Sequence, residues 1–154
     1  MAKEYRTIRN DVALPYQWAL GKTWAKFFDG LKEEKILGTK CAQCGKVFVP
    51  ARTFCPECFK DMAEWVEVKP EGKIITWTLV KAKYYGQIKE PPYIVATIQL
   101  AGTDCGFHHF IGGVDLADFK KMKRKLKRGA KVKAVWSLEK KADIYDIAQF
   151  VPVK

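Results

Sequence analysis

The sequence predicts a mainly β fold with N-terminal helices: a helical arm, a small metal-binding ribbon, and a barrel of five or six strands with one helix. Three observations support this class. Four of the five cysteines form two C-x-x-C pairs, an aromatic stripe at helical spacing precedes them, and short alternating apolar segments follow them. We expect these parts at residues 1–37, 38–64 and 65–154.

The arm is predicted from residues 12–37, whose pattern indicates helix in two pieces, with a break at Gly21 and a stop at Gly38. Large apolar residues recur there at three- and four-residue steps and form a stripe on one face. Such a stripe needs a covering surface. It either packs on the chain's own ribbon and barrel or docks on a partner protein, and both alternatives stay open. The candidate partner-binding residues are Trp18, Trp24, Phe27, Phe28 and Leu31.

The ribbon is predicted from the stretch CAQCGKVFVPARTFCPEC. Each C-x-x-C turn places two sulfurs on one side of a tight knuckle, and two facing knuckles supply four thiolates in a tetrahedron. Gly45 and Pro56 provide the small and rigid residues that these turns need. We expect a structural Zn²⁺ ion, with iron as the alternative; disulfides or unpaired core thiols explain the paired spacing poorly. The candidate ligands are Cys41, Cys44, Cys55 and Cys58.

Short strands are predicted after the ribbon. The clearest covers residues 73–80, where Ile75, Trp77 and Leu79 share one face, and residues 70–72 form the turn before it. A closed or nearly closed antiparallel barrel is expected, because closure removes exposed sheet edges. The other predicted strands are residues 65–68, 93–100, 107–114, 131–138 and 144–151.

One helix is predicted within the barrel, at residues 116–128. Asp115 caps its start and Gly129 ends it. Its expected buried stripe consists of Phe119, Met122 and Leu126.

The basic residues are concentrated at this helix. The net charge is +11, and nine basic residues without an acid lie at residues 120–133, which leaves 19 basic against 17 acidic residues elsewhere. A local excess of this kind indicates one acidic partner, one phosphate-bearing ligand, or a solvated helix face.

No self-contained active site is evident. Cys105 precedes His108 and His109, but neighbouring strand residues point to opposite faces, and no third residue orients a base. Two histidines are too few for a typical catalytic zinc site. We therefore expect a chain that is not an enzyme on its own. Since no uncharged span of about 18 residues occurs, we also expect a cytoplasmic protein without a membrane segment.

The order of parts resembles a bacterial and archaeal family in which a rubredoxin-like zinc ribbon is fused to an OB-fold domain. The resemblance covers nearly the whole chain. Two loops depart from the family pattern, at residues 70–72 and 101–106, so contacts made by those loops are not carried over. The matching stretches are KCAQCGKVFVPARTFCPEC, GKIITWTLVK, PPYIVATIQL, LKRGAKVKAVW and FVPV.

The resemblance implies a non-catalytic companion of a thiolase or another acyl-CoA enzyme, which bridges catalytic subunits or covers the CoA entrance. Within the family, the chain is similar to small subunits of thiolases that act on aromatic acylsuccinyl-CoA esters. The implied partner is a thiolase-like catalytic subunit, in a hetero-oligomer of two small and two large chains. CoA carries phosphates that cations can bind. The candidate anion- or CoA-binding residues are Lys81, Lys83, Lys89, Arg124, Lys127 and Arg128.

The alternative function is nucleic-acid binding. Zinc ribbons and OB-folds both occur in nucleic-acid-binding proteins, and the basic residues of 120–133 could contact a phosphate backbone. We rank it second. The cations cluster on a helix, whereas a single-strand binder is expected to interleave them with stacking aromatics on its strands. Trp77, Tyr84 and Tyr85 can stack on bases only if they are exposed.

Overall fold

A computed structural model describes residues 15–153 of the 154-residue chain. Its first element is one helix, α1 (Gly21–Lys32), and residues 15–20 have no regular structure. The prediction of two helical pieces continuing to residue 37 is wrong for these residues, and its start at residues 12–14 lies outside them. Glu34 follows the helix with φ 63°, in the left-handed region where many helices end. Gly or Asn is usual at such a position, so a glutamate there does not indicate a helix end in the sequence.

The ribbon is built on a three-stranded antiparallel sheet in the order β2-β1-β3. Gly38 lies inside this sheet rather than at a helix end. Glycine is needed there because a Cβ would come within 2.9 Å of the Phe48 carbonyl oxygen. The sheet extends on both sides of the predicted 38–64 segment. Its strands are β1 (Ile36–Lys40), β2 (Val47–Phe48) and β3 (Glu64–Val68).

A five-stranded closed barrel follows, in the order β4-β5-β6-β8-β7. The predicted closure is confirmed, but the expectation of wholly antiparallel pairing is wrong, because β6 and β8 run parallel at Ile111 and Phe150. The crossover between β6 and β7 carries the chain across the barrel, so the β7–β8 hairpin returns with β8 parallel to β6. The strands are β4 (Glu71–Val80), β5 (Tyr93–Leu100), β6 (Phe107–Ile111), β7 (Lys131–Trp136) and β8 (Ile147–Pro152).

A bulge in β4 changes which residues face the barrel interior. The register shifts between Ile74 and Thr76, so Ile74 is buried while Trp77 and Leu79 still pack against the core. Ile75, predicted on the same face as these two, is displaced from it. Because a bulge adds one residue to one strand, simple alternation cannot locate it.

The crossover contains the second helix, α2 (Phe119–Lys125), which is shorter than predicted. Asp118 is its cap and accepts a hydrogen bond from Lys121 N at 2.8 Å, whereas Asp115 bonds to Ala117 N before the helix begins. Met122 and Leu126 are buried as predicted. Phe119 is 53% exposed because it starts the helix and rests beside Trp77, not under the barrel.

The helix α1 and the barrel share one core. Phe27 and Leu31 of α1 are completely buried together with Ile36 and Val49 of the ribbon and the barrel's inner residues. A short 3₁₀ helix, Ile144–Asp146, precedes β8. Within residues 15–153, no helix has the length and apolar character needed to cross a bilayer.

Candidate metal centre and partner surface

Two knuckles of matching geometry bring the four predicted cysteine ligands together. In the first knuckle, Cys41 N donates to Lys46 O at 2.9 Å and Gly45 N donates to Cys41 O at 2.8 Å. The second knuckle repeats both bonds around Cys55, at 2.8 and 2.9 Å. These bonds fold each C-x-x-C segment so that its sulfurs point to the space between the knuckles.

The sulfur positions fit a tetrahedral metal site. All four Sγ atoms lie within 4.8 Å of one another, and Cys44 Sγ is 3.8 Å from Cys55 Sγ. A tetrahedron with Zn–S bonds of about 2.3 Å has edges of about 3.8 Å. All five cysteines belong to the described residues and none forms a disulfide. Four thiolates complete a tetrahedral shell, so an ion here has no position for substrate and serves as a structural crosslink.

The electrostatics of the cluster also favour a bound cation. Backbone N–H groups of Cys44 and Gln43 point at Cys41 Sγ, and hydrogen bonds of this kind lower the pKa of the Cys41 thiol to about 7. The neighbouring thiols, Cys44 foremost, raise the pKa of Cys58 to about 12. A Cys58 thiol with so high a pKa becomes a thiolate at neutral pH only beside a cation, which a metal ion in this cluster would supply.

The knuckles differ at the residue after the second cysteine. Gly45 has φ 74° and its counterpart Phe59 has φ 53°, so both lie in the left-handed region. A residue with a Cβ is disfavoured there by about 1–2 kcal/mol. Phe59 is nevertheless 79% exposed, and Phe54, five residues earlier in the same knuckle region, is 54% exposed. Sequence analysis missed this pair, although the contrast between C-x-x-C-G and C-x-x-C-F is visible in the sequence.

The residues of the aromatic stripe do not share one environment: some pack in the chain's own core and others are exposed. Phe27 and Leu31 are in the core and Phe28 packs against it, so the first two hold α1 in place and offer no surface to a partner. Trp18 is 66% and Trp24 37% exposed. Their rings meet edge to face at 5.8 Å, and Trp24 meets Phe28 similarly at 5.7 Å. We define the arm patch as the exposed residues Tyr16, Trp18, Leu20 and Trp24.

The loop between β5 and β6 joins the barrel to the first knuckle. Asp104 N donates to Val47 O, and Val47 N donates to Asp104 Oδ2, both at 2.9 Å. Cys105 Sγ accepts from Val49 N at 3.1 Å and donates to Val49 O at 3.2 Å. We call residues 103–105 the latch. Its partners lie more than fifty residues earlier in the chain, which is why no local sequence pattern indicated them.

The two histidines have structural partners. His109 is buried, with Nδ1 accepting from Phe110 N at 2.9 Å and Nε2 donating to Ile144 O at 3.1 Å. Burial lowers its pKa, so the imidazole is neutral. His108 Nδ1 lies 3.0 Å from Thr97 Oγ1. The Cys105 sulfur is hydrogen-bonded to the Val49 backbone and not to a histidine, so Cys105, His108 and His109 form no nucleophile–base pair.

The candidate anion-binding cations lie on two separate connections of the barrel. Lys83 pairs with Glu90 at 2.6 Å, and Lys89 Nζ sits 5.1 Å from the centre of the Phe110 ring. Lys81 is exposed on the same β4–β5 loop. Arg124 lies on α2, and Lys127 and Arg128 follow it, all exposed and without an ion pair to another described residue. No hydrogen bond or ion pair within residues 15–153 joins the two sets.

Comparison with known proteins defines the family. Residues 28–63 match the rubredoxin-like zinc ribbon domain of ChsH2, and residues 65–137 match the C-terminal OB-fold domain of ChsH2. A crystal structure of a DUF35-family protein of unknown function from Sulfolobus solfataricus is 32% identical, with a TM-score of 0.58 over 75% of this chain and 78% of that one. The chain belongs to the DUF35 family.

Other DUF35 relatives are similar over shorter stretches. Proteins named DUF35 domain-containing scaffold protein from Methanocaldococcus jannaschii and Pyrococcus furiosus are 33% and 35% identical over 66 residues. The match covers 42% and 43% of this chain and spans about half of those relatives, 47% and 48% of their lengths. A structure described as an Ltp2-ChsH2(DUF35) aldolase has a TM-score of 0.63 at 23% identity, covering 88% and 98% of the two chains. That likeness shows the fold alone.

Proposed function

We propose that this DUF35 protein is a non-catalytic accessory subunit of a thiolase-type acyl-CoA enzyme. It docks on the catalytic subunit, supports assembly and covers the path by which the CoA ester enters. The arm patch carries this proposal. Trp24 is exposed on a helix whose other side is fixed in the core, and the Trp18 ring, just before that helix, packs edge to face against it. Exposed aromatic clusters of this kind are typical anchors of protein interfaces.

The comparisons support the proposal at a coarser level. Two relatives are named scaffold proteins, and a chain of the same fold belongs to an Ltp2-ChsH2(DUF35) aldolase. The sequence resemblance extends the proposal to aromatic acylsuccinyl-CoA as substrate class and to two small and two large subunits. We also propose Zn²⁺ as the ion in the ribbon. Metal analysis tests that choice, because iron in four thiolates would colour the protein.

Each part of the chain has a mechanical role in this proposal. When bound, the metal crosslinks the two knuckles. The latch holds the first knuckle on the barrel, and Phe27 and Leu31 hold α1 on both, so Trp24 of the arm patch is presented without prior reordering. The phosphates of CoA would meet cations of the β4–β5 loop or of α2. The catalytic cysteine and histidine belong to the partner.

The test is affinity purification of the full chain from its native host, followed by reconstitution with the recovered partner from recombinant chains. We expect a thiolase-like protein in stoichiometric amount, and acyl-CoA cleavage that requires this chain. The double variant Trp18→Ala/Trp24→Ala should weaken the complex, whereas Leu138→Ala, which removes a fully exposed side chain from the β7–β8 connection, should not. A chain that runs as a free monomer, with thiolase activity unchanged after its deletion, would contradict the proposal.

Nucleic-acid binding is the second candidate, and one observation favours it. Tyr84 and Tyr85 are 67% and 76% exposed on the loop that also carries Lys81 and Lys83, so aromatics and cations occur together on one loop of the barrel. Salt-dependent binding of a single-stranded oligonucleotide at micromolar concentration would support this candidate. No binding at low salt would eliminate it.

A further inference from the structure

The second knuckle contains a feature that the fold of the chain does not require. Phe59 adopts a left-handed backbone conformation that glycine adopts without cost, as Gly45 does in the first knuckle. Its ring gains little in return within the chain, because the residue is 79% exposed. A disfavoured conformation that presents a large apolar ring to solvent indicates a contact outside the chain.

The second knuckle is also continuous with the arm. Thr53 Oγ1 donates to Thr23 Oγ1 at 3.1 Å, which ties the first turn of α1 to this knuckle. Trp24 and Phe54 follow the two ends of that bond directly, so covalent geometry keeps their Cα atoms within about 16 Å of each other. One partner surface can therefore touch the arm patch and the second knuckle together.

The first knuckle has no exposed aromatic ring at the equivalent position, and the strand that follows it is held by the barrel. The latch bonds to Val47 and Val49, which follow directly after this knuckle. In the region of the second knuckle, the charged residues Arg52, Glu57 and Lys60, close to the two phenylalanines in the sequence, are exposed. An apolar centre with a charged rim is the usual composition of a protein interface.

We propose that Phe54 and Phe59 extend the arm patch into one docking surface for the catalytic subunit, and that the ribbon reaches that subunit through its second knuckle. This inference rests on the proposed function. The partner's matching feature is an apolar groove that accepts the two phenyl rings and excludes water around them. The metal then has a second effect: it holds the backbone that presents Phe59.

The test measures binding of the reconstituted catalytic subunit to Phe59→Gly and Phe54→Ser, with Leu138→Ala as the exposed apolar control. Phe59→Gly suits this purpose because it removes the ring and also removes the conformational strain of a left-handed residue with a Cβ. We expect unchanged metal content, an unfolding temperature no lower than that of the wild type, and a dissociation constant raised about tenfold or more. Phe59→Ala, which keeps the backbone conformation and loses the ring, should weaken binding equally.

Wild-type affinity in Phe59→Gly and Phe54→Ser, with Trp18→Ala/Trp24→Ala still weakened, would overturn this inference and leave the proposed function standing. If the wild-type chain itself does not bind the thiolase-like subunit, the proposed function fails instead. Concentration-dependent self-association that Phe59→Gly abolishes would assign the surface to a second copy of this chain, and would also overturn the inference.

Discussion

The two knuckles of the ribbon have the same backbone hydrogen bonds and different surroundings. Both close through a bond from the residue after the second cysteine, at 2.8 and 2.9 Å. The first ends in Gly45 and leads directly into a strand that is hydrogen-bonded to the barrel, while the second ends in Phe59, whose ring is exposed. The two knuckles therefore share one backbone shape and differ in the residue that follows the second cysteine and in the contacts of the chain after it.

Removing a shared ligand should have the largest effect, because both knuckles depend on one ion. In Cys44→Ser we expect loss of the metal, loss of amide-exchange protection in the ribbon and release of the partner, with the barrel still folded. Structural zinc contributes on the order of 10 kcal/mol to such modules, so one lost thiolate is sufficient. Metal analysis and hydrogen exchange measure this. Lost thiolase activity with assembly and metal content intact would contradict it.

Loosening the latch should affect the first knuckle alone. Asp104→Ala leaves Val47 N without its side-chain acceptor and should lower the free energy of unfolding by about 1–2 kcal/mol, with the metal retained. Asp115→Ala removes a bond within a single loop, to Ala117 N, and is the matched control with a smaller expected loss. Chemical denaturation compares the two. Equal losses would mean that the latch adds nothing beyond an ordinary loop bond.

The smallest effect on stability should come from substitutions at Gly45 and Phe59, the two knuckle residues with a left-handed backbone. Gly45→Ala should destabilise by about 1 kcal/mol, since a Cβ there meets no atom within 4 Å and only the backbone angle matters. Phe59→Gly should change stability in the opposite direction. Gly86→Ala, at φ 74° in the β4–β5 loop, is the control for the same backbone effect away from the metal. Stabilisation by Gly45→Ala would show that the left-handed conformation is not the relevant difference.

Much of this architecture was predictable because its signals are local. The spacing of Cys41 to Cys58 indicated the metal site, and alternation over residues 93–100 matched β5 at both ends. The misses depended on distant or unusual residues. Glu34 ends the helical course without a glycine, and the β4 bulge moves Ile75 off the core face.

The candidate surface was less predictable than the metal site. Periodicity placed Phe27 and Trp24 on one stripe, but only the fold shows that the first is buried and the second half exposed. The latch required knowledge that residues 47 and 104 meet. Phe59 could have been identified from the sequence, because aligning the two C-x-x-C segments shows a phenylalanine where the first has Gly45.

The central claim is that this chain is a subunit of a thiolase-type complex and docks through the arm patch and second knuckle. Native mass spectrometry of the chain mixed with the thiolase-like protein recovered from its host tests this most directly. The account predicts a complex of two small and two large subunits for the wild type, and its loss in Trp18→Ala/Trp24→Ala with the metal still bound. A free wild-type monomer beside an intact thiolase would contradict it.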